Sequence, residues 1–594
     1  MTARARKSAW IALAAAVGLV FPSPRSCWAE PTTKPSASLL RSLDRFERDM
    51  QLLDQTLPNP APGSARTKGK KVAKETDPVD ATPTRVLASL EPPPPGASPS
   101  SIDAVRIQRR VRLSLPMALE VAVRNDPALA EQVAAVRERQ GWLTSVRGRF
   151  WPEISLLAGS GYSQRRTDST AWQGNESIPQ YQNNVFSVST GGWNQIQQNL
   201  QVTTAGLGLN WELVSFERNA ALAESKDELK ASQQRYANRL RQLQLDVSLA
   251  YYGLQLAEQL TRVRQAVVNN DAIVKGEVSA LKRSGLVPRL DLLRADAALQ
   301  QSNYRLEQAD ALRLSRQRQI SNLINVPFDV TVTASEAVTL QPPWPLDLQQ
   351  TLIQGFAQNP QMLALQAARD ALINQANRRA AELLPSLRLF AQAGYGEVIS
   401  DEPLINLNGC CGATHIPSLY SQSADWAAGL QFRWRLFDGG VTSGAASASL
   451  AAAERTEQAL ARERNGIRQR MEAAFFDHRA ALSQIVASRA SYAAAREAFR
   501  DVRARYQLGL ANYTDVSQTI QLLTQTMESV AESITLANVS YAQLLRELIT
   551  VPNQPGAPVS LPLVLPLQLP QPAPTLPSAA GAAPSRSNFA KTAG

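Results

Sequence analysis

Residues Trp426–Gly440 read WAAGLQFRWRLFDGG, and the alternation in this stretch decides the fold. Leu430, Phe432, Trp434 and Leu436 alternate with Gln431, Arg433 and Arg435. Period-two alternation sends apolar side chains to one strand face and charged ones to the other. An earlier stretch, Ala205–Ser215 (AGLGLNWELVS), repeats the design with Leu207, Leu209, Trp211 and Leu213. Each strand runs directly into a very long polar helical pattern. In the later copy the corner is Leu436, Phe437, Asp438, Gly439 and Gly440.

The same junction occurring twice points to duplication. Asn125-Asp126-Pro127, Trp151-Pro152 and Gly161-Tyr162 return as Gln358-Asn359-Pro360, Leu384-Pro385 and Gly394-Tyr395, all at an offset of 233 residues. Gly206 and Trp211 return as Gly429 and Trp434 at 223, and Gly285, Leu286 and Asp291 as Gly509, Leu510 and Asp515 at 224. Val326-Pro327 returns as Val551-Pro552 at 225. One register with a ten-residue change between paired strands, followed only by one-residue steps, marks two copies that differ in a loop. The repeats are read as 111–327 and 346–552, with a linker at 328–345.

The ends bound the compartment. Residues 1–29 read as a secretory signal: Arg4, Arg6 and Lys7 precede an apolar centre, Ala9–Phe21, and a Cys27-Trp28-Ala29 cleavage site. The apolar centre is short for a membrane anchor, and Pro24-Arg25-Ser26 is an unfavourable context for lipidation of Cys27. Residues 30–110 are Pro-rich and read as mostly disordered, interrupted by one helical segment, Ser38–Leu53. Residues 553–594 read as a disordered Pro/Ala-rich tail. The net charge of +11 is interspersed along helices rather than gathered in a patch, so nucleic acid is not an expected partner. Cys410 and Cys411 make a loop pair in GCCGATH (Gly409–His415), with poor geometry for a metal.

The helical segments are unusual in length. Ser114–Arg149 is expected to break at Asn125-Asp126-Pro127 into a short and a long helix. The segment from Glu217 to Arg283 has no proline, and at 1.5 Å per residue it reaches on the order of 100 Å. Leu243, Val247, Ala250, Leu254 and Ala257 form one heptad seam on it, and Leu245, Leu249, Tyr252 and Leu256 a second. Two seams imply helical neighbours on both sides, as in a curved wall. A shorter helix, Pro288 to Asn325, returns; the second copy repeats the plan with Gly440–Tyr506.

Each copy offers two strands of about ten residues, the length that crosses a bilayer. They are joined by polar loops, Thr167–Gln201 and Ser400–Asp425. Trp211 and Trp434 are placed near the helix-proximal ends, and Tyr162 and Tyr395 near the loops, as aromatic girdles. Gln431, Arg433 and Arg435 are expected to face a water-filled lumen. Four strands cannot close a barrel, and open edges are not viable in lipid. Several chains are therefore needed to complete it.

The duplicated helix–strand–strand–helix plan, the LFDGG corner and the GL-x4-D turns resemble the TolC family of outer-membrane efflux proteins over residues 113–552. The resemblance implies an α+β membrane protein, in which each chain gives four strands to a trimeric twelve-stranded barrel continued by a periplasmic α-helical barrel. It also implies a homotrimer in outer-membrane lipid, acting as the exit duct of a tripartite efflux pump or type I secretion system. The implied partners are a periplasmic adaptor (membrane fusion) protein and an inner-membrane pump or ABC transporter.

The helix-to-helix turns, Ser284–Ala295 and Leu508–Thr519, are then the periplasmic mouth. Gly285 and Gly509 fit the left-handed position that ends a helix. Asp291 and Asp515 fall in the first turn of the next helix, where they complement its dipole; three chains would bring six such carboxylates toward the axis. The resemblance implies that Tyr506 reaches toward Asp291 as a closing contact. One turn after the second aspartate, relatives with a strong cation site carry a further carboxylate. Here Gln518 stands there, and Arg294 in the first copy can pair with Asp291. A weak acidic iris is expected. No Walker A, H-E-x-x-H or nucleophile elbow is present, so neither enzymatic activity nor a cofactor is expected. A passive porin and a non-channel periplasmic coiled-coil scaffold are the alternatives.

Overall fold

The computed structural model describes residues 37–58, 90–96, 98–171, 192–406, 414–508 and 510–565. The signal segment, Gly509, Cys410 and Cys411 lie outside the described residues. The chain divides into two units.

The larger unit comprises residues 55–261, 308–488 and 529–594. It opens with strand β1 (Arg109–Leu113), then helices α2 (Leu115–Asn125) and α3 (Pro127–Gly148). The break between them has a local cause. Asp126 accepts from the N–H groups of Ala128 and Leu129, and Pro127, which has no N–H to lose, starts the new helix. Arg239 pairs with the same carboxylate at 2.7 Å. The second copy repeats the device between α6 (Leu348–Ala357) and α7 (Pro360–Ala381), where Asn359 accepts from the N–H of Gln361.

Strands β2 (Glu153–Ala171), β3 (Gly192–Val214), β5 (Ser386–Asn406) and β6 (Thr414–Arg433) form one antiparallel sheet in the order β2-β3-β5-β6. They are 19, 23, 21 and 20 residues long. The expectation of ten-residue strands is thus corrected, and much of the two segments read as loops is strand. Strand β4 (Val330–Ala334), inside the segment read as a linker, pairs in parallel with β1. Arg109 and Asp329 close that pair at 2.8 Å.

Strand β3 leads into helix α4 (Phe216–Arg283), which returns through α5 (Arg289–Leu323); β6 leads into α8 (Val441–Gln507) and α9 (Tyr513–Leu548). On α4, Leu243, Val247, Ala250, Leu254 and Ala257 are buried, so the first heptad seam is satisfied within the chain. On the second seam Tyr252 is buried, whereas Leu245, Leu249 and Leu256 are only half-buried.

Two regions read as disordered are partly folded into this unit. Leu90 is buried, and its carbonyl accepts from the Asn125 amide at 2.7 Å. After Pro552 the chain keeps packing: Val559, Leu561 and Leu563 lie against the core, and Gln244 donates to the Pro562 carbonyl at 2.6 Å.

The smaller unit comprises residues 1–54, 262–307 and 489–528. It contains helix α1 (Ala37–Gln55) and the two helix-to-helix turns.

Candidate functional site

The four-stranded sheet has two unlike faces. Cross-strand register puts Leu387 level with Phe432, Leu389 with Leu430, and Ala391 with Ala428. Next comes Ala393 with Trp426, then Tyr395 with Ala424. Ile154, Leu209, Leu156, Leu207, Ala158 and Ala205 continue these rows across β2 and β3. Five successive rows are therefore apolar, about 27 Å along a strand, which matches the outward band of a membrane barrel. The side chains are unshielded: Leu156 is 72% exposed and Trp426 81%. In the next row stand Ser160, Thr203, Glu397 and Gln422.

The opposite face carries Glu212, Arg388 and Gln431 in one row, with Arg433 beside Ser386 in the next. Arg388 pairs with Glu212 at 3.5 Å. Arg435 lies beyond the end of β6 and pairs with Glu382 at 3.6 Å. Gln431 and Arg433 thus share one strand face, and Arg435 belongs to the corner.

The aromatic residues occupy several levels. Tyr395 sits at the outer margin of the apolar band, but Tyr162, paired with Gln201, stands two rows farther out beside Ile399 and Tyr420. Trp211 shares the row of Leu389, its indole N–H donating to the Phe150 carbonyl at 3.0 Å, and Trp434 follows the end of β6. Leu213 does not continue the alternation. A bulge after Glu212 puts Val214 opposite Leu387 instead.

The two strand-to-helix corners differ in chemistry. At the first, Ser215 alone separates β3 from α4, and its hydroxyl accepts from the Arg218 N–H at 3.2 Å. The buried Arg218 guanidinium donates to the carbonyls of Arg149, Glu212 and Leu213 and lies 4.1 Å from the Phe150 ring centroid. Sequence reading missed Arg218, because its partners are backbone atoms brought together only by folding.

At the second corner, Gly439 and Gly440 have φ of 68° and 89°, which side chains disfavour. Asp438 accepts from the N–H groups of Gly440 (3.0 Å) and Thr442 (2.9 Å), capping α8. Hydrogen bonds from Thr442 hold its carboxyl below the ordinary value, with smaller help from Gly440 and the Arg435 charge. Leu436 and Phe437 are exposed there.

In the smaller unit, the turn after α4 closes with Gly285 at φ 76°; Gly285 N–H bonds to Lys282 O and Leu286 N–H to Leu281 O. This is the expected glycine-ended helix terminus. Asp291 pairs with Arg294 at 3.8 Å. The second turn, whose Gly509 lies outside the described residues, is built differently. Asn512 and Asp515 each accept from the other's backbone N–H, at 3.0 and 3.2 Å, a reciprocal cap on α9. Gln518, Leu286 and Leu510 are exposed.

Tyr506 packs with Val287, Leu292 and Tyr513 against the buried Leu39, Val274, Val278 and Ala295. Burial pushes its phenol up to about 12, with Glu277 and Asp291 adding to the effect. No hydrogen bond joins Tyr506 to Asp291 among the described residues. Within the chain Tyr506 belongs to this apolar cluster, and the Asp291 charge acts on its phenol.

A profile of outer membrane efflux proteins matches residues 118–326 and 353–548, more than half of the chain. The chain belongs to the outer membrane efflux protein family. Protein CyaE of Bordetella pertussis is 25% identical over 281 residues, 47% of this chain and 53% of that protein. The chain thus spans about half the length of this curated relative. The outer membrane channel CmeC of Campylobacter jejuni is 13% identical, with a TM-score of 0.57 over 83% of this chain and 94% of its own. The open-state outer membrane channel MtrE of Neisseria gonorrhoeae is 17% identical, with a TM-score of 0.54 over 77% and 96%. At these identities the likeness is one of fold, and the duplicated α+β plan is the family's. Membership places the chain in the outer membrane, among efflux proteins rather than enzymes.

Proposed function

We propose that three copies of this chain form an outer-membrane exit duct for substrates handed over by an inner-membrane transporter through a periplasmic adaptor. The observation that carries this is the sheet: one unshielded apolar face about 27 Å long along the strands, and outer strands β2 and β6 that each pair on one side only among the described residues. Lipid does not tolerate open edges, and twelve strands from three copies would remove them. The half-buried Leu245, Leu249 and Leu256 supply a matching unfilled seam for helical neighbours.

The helix-to-helix turns are assigned to the periplasmic mouth, and its charge to a weak iris. Asp291 is already paired with Arg294, and Asp515 is engaged in a cap, so neither stands as an uncommitted carboxylate. The chain carries no nucleotide-binding motif, so energy comes from the partner, either a tripartite pump or a type I secretion transporter.

The test is detergent extraction of the mature protein followed by planar-bilayer recording. Trimers with low resting conductance are expected. A permanently high conductance would favour the passive porin, and a monomer soluble without detergent would end the duct reading. Cross-linking in cells, with identification of the captured inner-membrane partner, separates pump from secretion system.

A further inference from the structure

The helix α1 is an addition to the duplicated plan, since nothing in the second copy corresponds to it. In the smaller unit its stripe of Leu39, Leu43, Phe46 and Met50 is buried, each at most 2% exposed. The spacing of four, three and four residues is that of a helix packed along another helix. Its partner is residues 489–503 of α8. Phe46 meets Phe499 edge-to-face with centroids 5.8 Å apart, and the Tyr492 hydroxyl donates to the Met50 carbonyl at 3.4 Å.

A line of ion pairs flanks this apolar contact. Arg500 binds Glu47 at 2.7 Å, Arg503 binds both Glu47 and Asp44, and Arg489 pairs with Asp54 at 3.6 Å. All the carboxylates lie on α1 and all the guanidinium groups on α8. The arrangement is therefore directional, with Asp44, Glu47 and Asp54 of α1 set against Arg489, Arg500 and Arg503 of α8. At its other end, Leu39 enters the cluster that holds Val287 and Leu292 from the first turn and Tyr506 and Tyr513 from the second.

We propose that α1 is a clasp that locks the two helix-to-helix turns of a chain together. Leu39 closes the cluster to which both turns contribute, and the Asp44/Glu47–Arg500/Arg503 pairs fix α1 on the second hairpin. Separation of the turns requires α1 to let go. This rests on the mouth assignment above only where it speaks of gating; the clasp itself is a statement about the packing of the turns.

Two readouts keep the two ideas apart. In mature trimers, Glu47→Lys is expected to raise backbone hydrogen exchange about tenfold in both 284–292 and 510–516. Adding Asp44→Lys together with Arg500→Glu and Arg503→Glu is expected to restore protection by reversing all the Asp44/Glu47–Arg500/Arg503 pairs. In a background of Cys410→Ser and Cys411→Ser, Phe46→Cys with Phe499→Cys, bridged by a short bifunctional thiol reagent, is expected to slow exchange at both turns and to lower single-channel conductance.

Exchange that changes in α1 alone, or turns unmoved by the bridge, would overturn the clasp. The bridged variant keeps the test decisive should Glu47→Lys fail to assemble. Exchange that responds as stated while no variant passes current would leave the clasp standing and sink the duct reading instead.

Discussion

The two strand-to-helix corners occupy equivalent places in the duplicated chain and solve the same problem by opposite means. At the first, the chain turns from β3 to α4 across one residue, and a buried arginine gathers the Glu212 and Leu213 carbonyls of β3 and the Arg149 carbonyl at the end of α3. At the second, seven residues intervene between β6 and α8, two of them in left-handed conformation, and a half-buried aspartate caps the helix. A tight corner needs a donor from outside the turn, whereas a loose one can satisfy itself from its own backbone. Duplication fixed the task and left each copy free to find its own chemistry.

That contrast can be broken most severely at Arg218. Truncation by Arg218→Ala removes this buried donor and is expected to cost about 3 kcal/mol. It would be read as a lower melting temperature of the detergent-solubilised protein and faster proteolysis near 214–218. Next in size, Gly439→Val and Gly440→Val are each expected to cost about 1–2 kcal/mol in the same melt. No atom lies within 4 Å of a Cβ built on Gly439, so the cost there is backbone strain rather than crowding. Ser215→Gly at the first corner is expected to cost only about a few tenths of a kcal/mol.

The smallest effect depends on pH. The Asp438 carboxyl titrates lower when folded than when unfolded, so its stabilisation is complete above its unfolded value. It is lost as pH falls through the folded one. Ser215 does not titrate. Proteolysis at 434–442 should therefore rise in acid more than cleavage at 214–218, where Glu217 pairs with Arg149 but caps nothing; equal acid sensitivity of both corners would remove the distinction.

Much of this was legible in sequence, and the misses have physical causes. The constant offsets located both corners and both turns, and Pro127 and Pro360 located the helix breaks, because proline at a helix start leaves a local signature. Strand length was underestimated. Beyond the Tyr395 row polar and apolar residues mix on both faces, with Gln201 beside Tyr162 and Ile399, and Val202 beside Val398 but next to Gly161, so no clean alternation remains for periodicity to report. The pairing of β1 with β4 was hidden for a related reason, since RRVRL reads as a charged linker.

Composition hides the packing of residues 553–565. Val559, Leu561 and Leu563 alternate in a Pro-rich setting, and the alternation was the better guide. The heptad stripe of α1 was equally visible, from Leu39 to Met50, but its partner face on α8 lies more than four hundred residues away in the chain. The pairing of Asp291 with Arg294 is legible from their three-residue spacing, whereas the engagement of Asp515 with Asn512 is not. The difference turns on Asn512 and Arg294, which share no repeat position.

The strands outrun the apolar band by ten or more residues, on the order of 30 Å. A cell carrying this protein would consequently hold a rigid polar collar well clear of its lipid surface. A peptide epitope spliced between β2 and β3 would be presented on a stalk, within reach of antibodies that a shallow barrel would leave obstructed by surface polysaccharide.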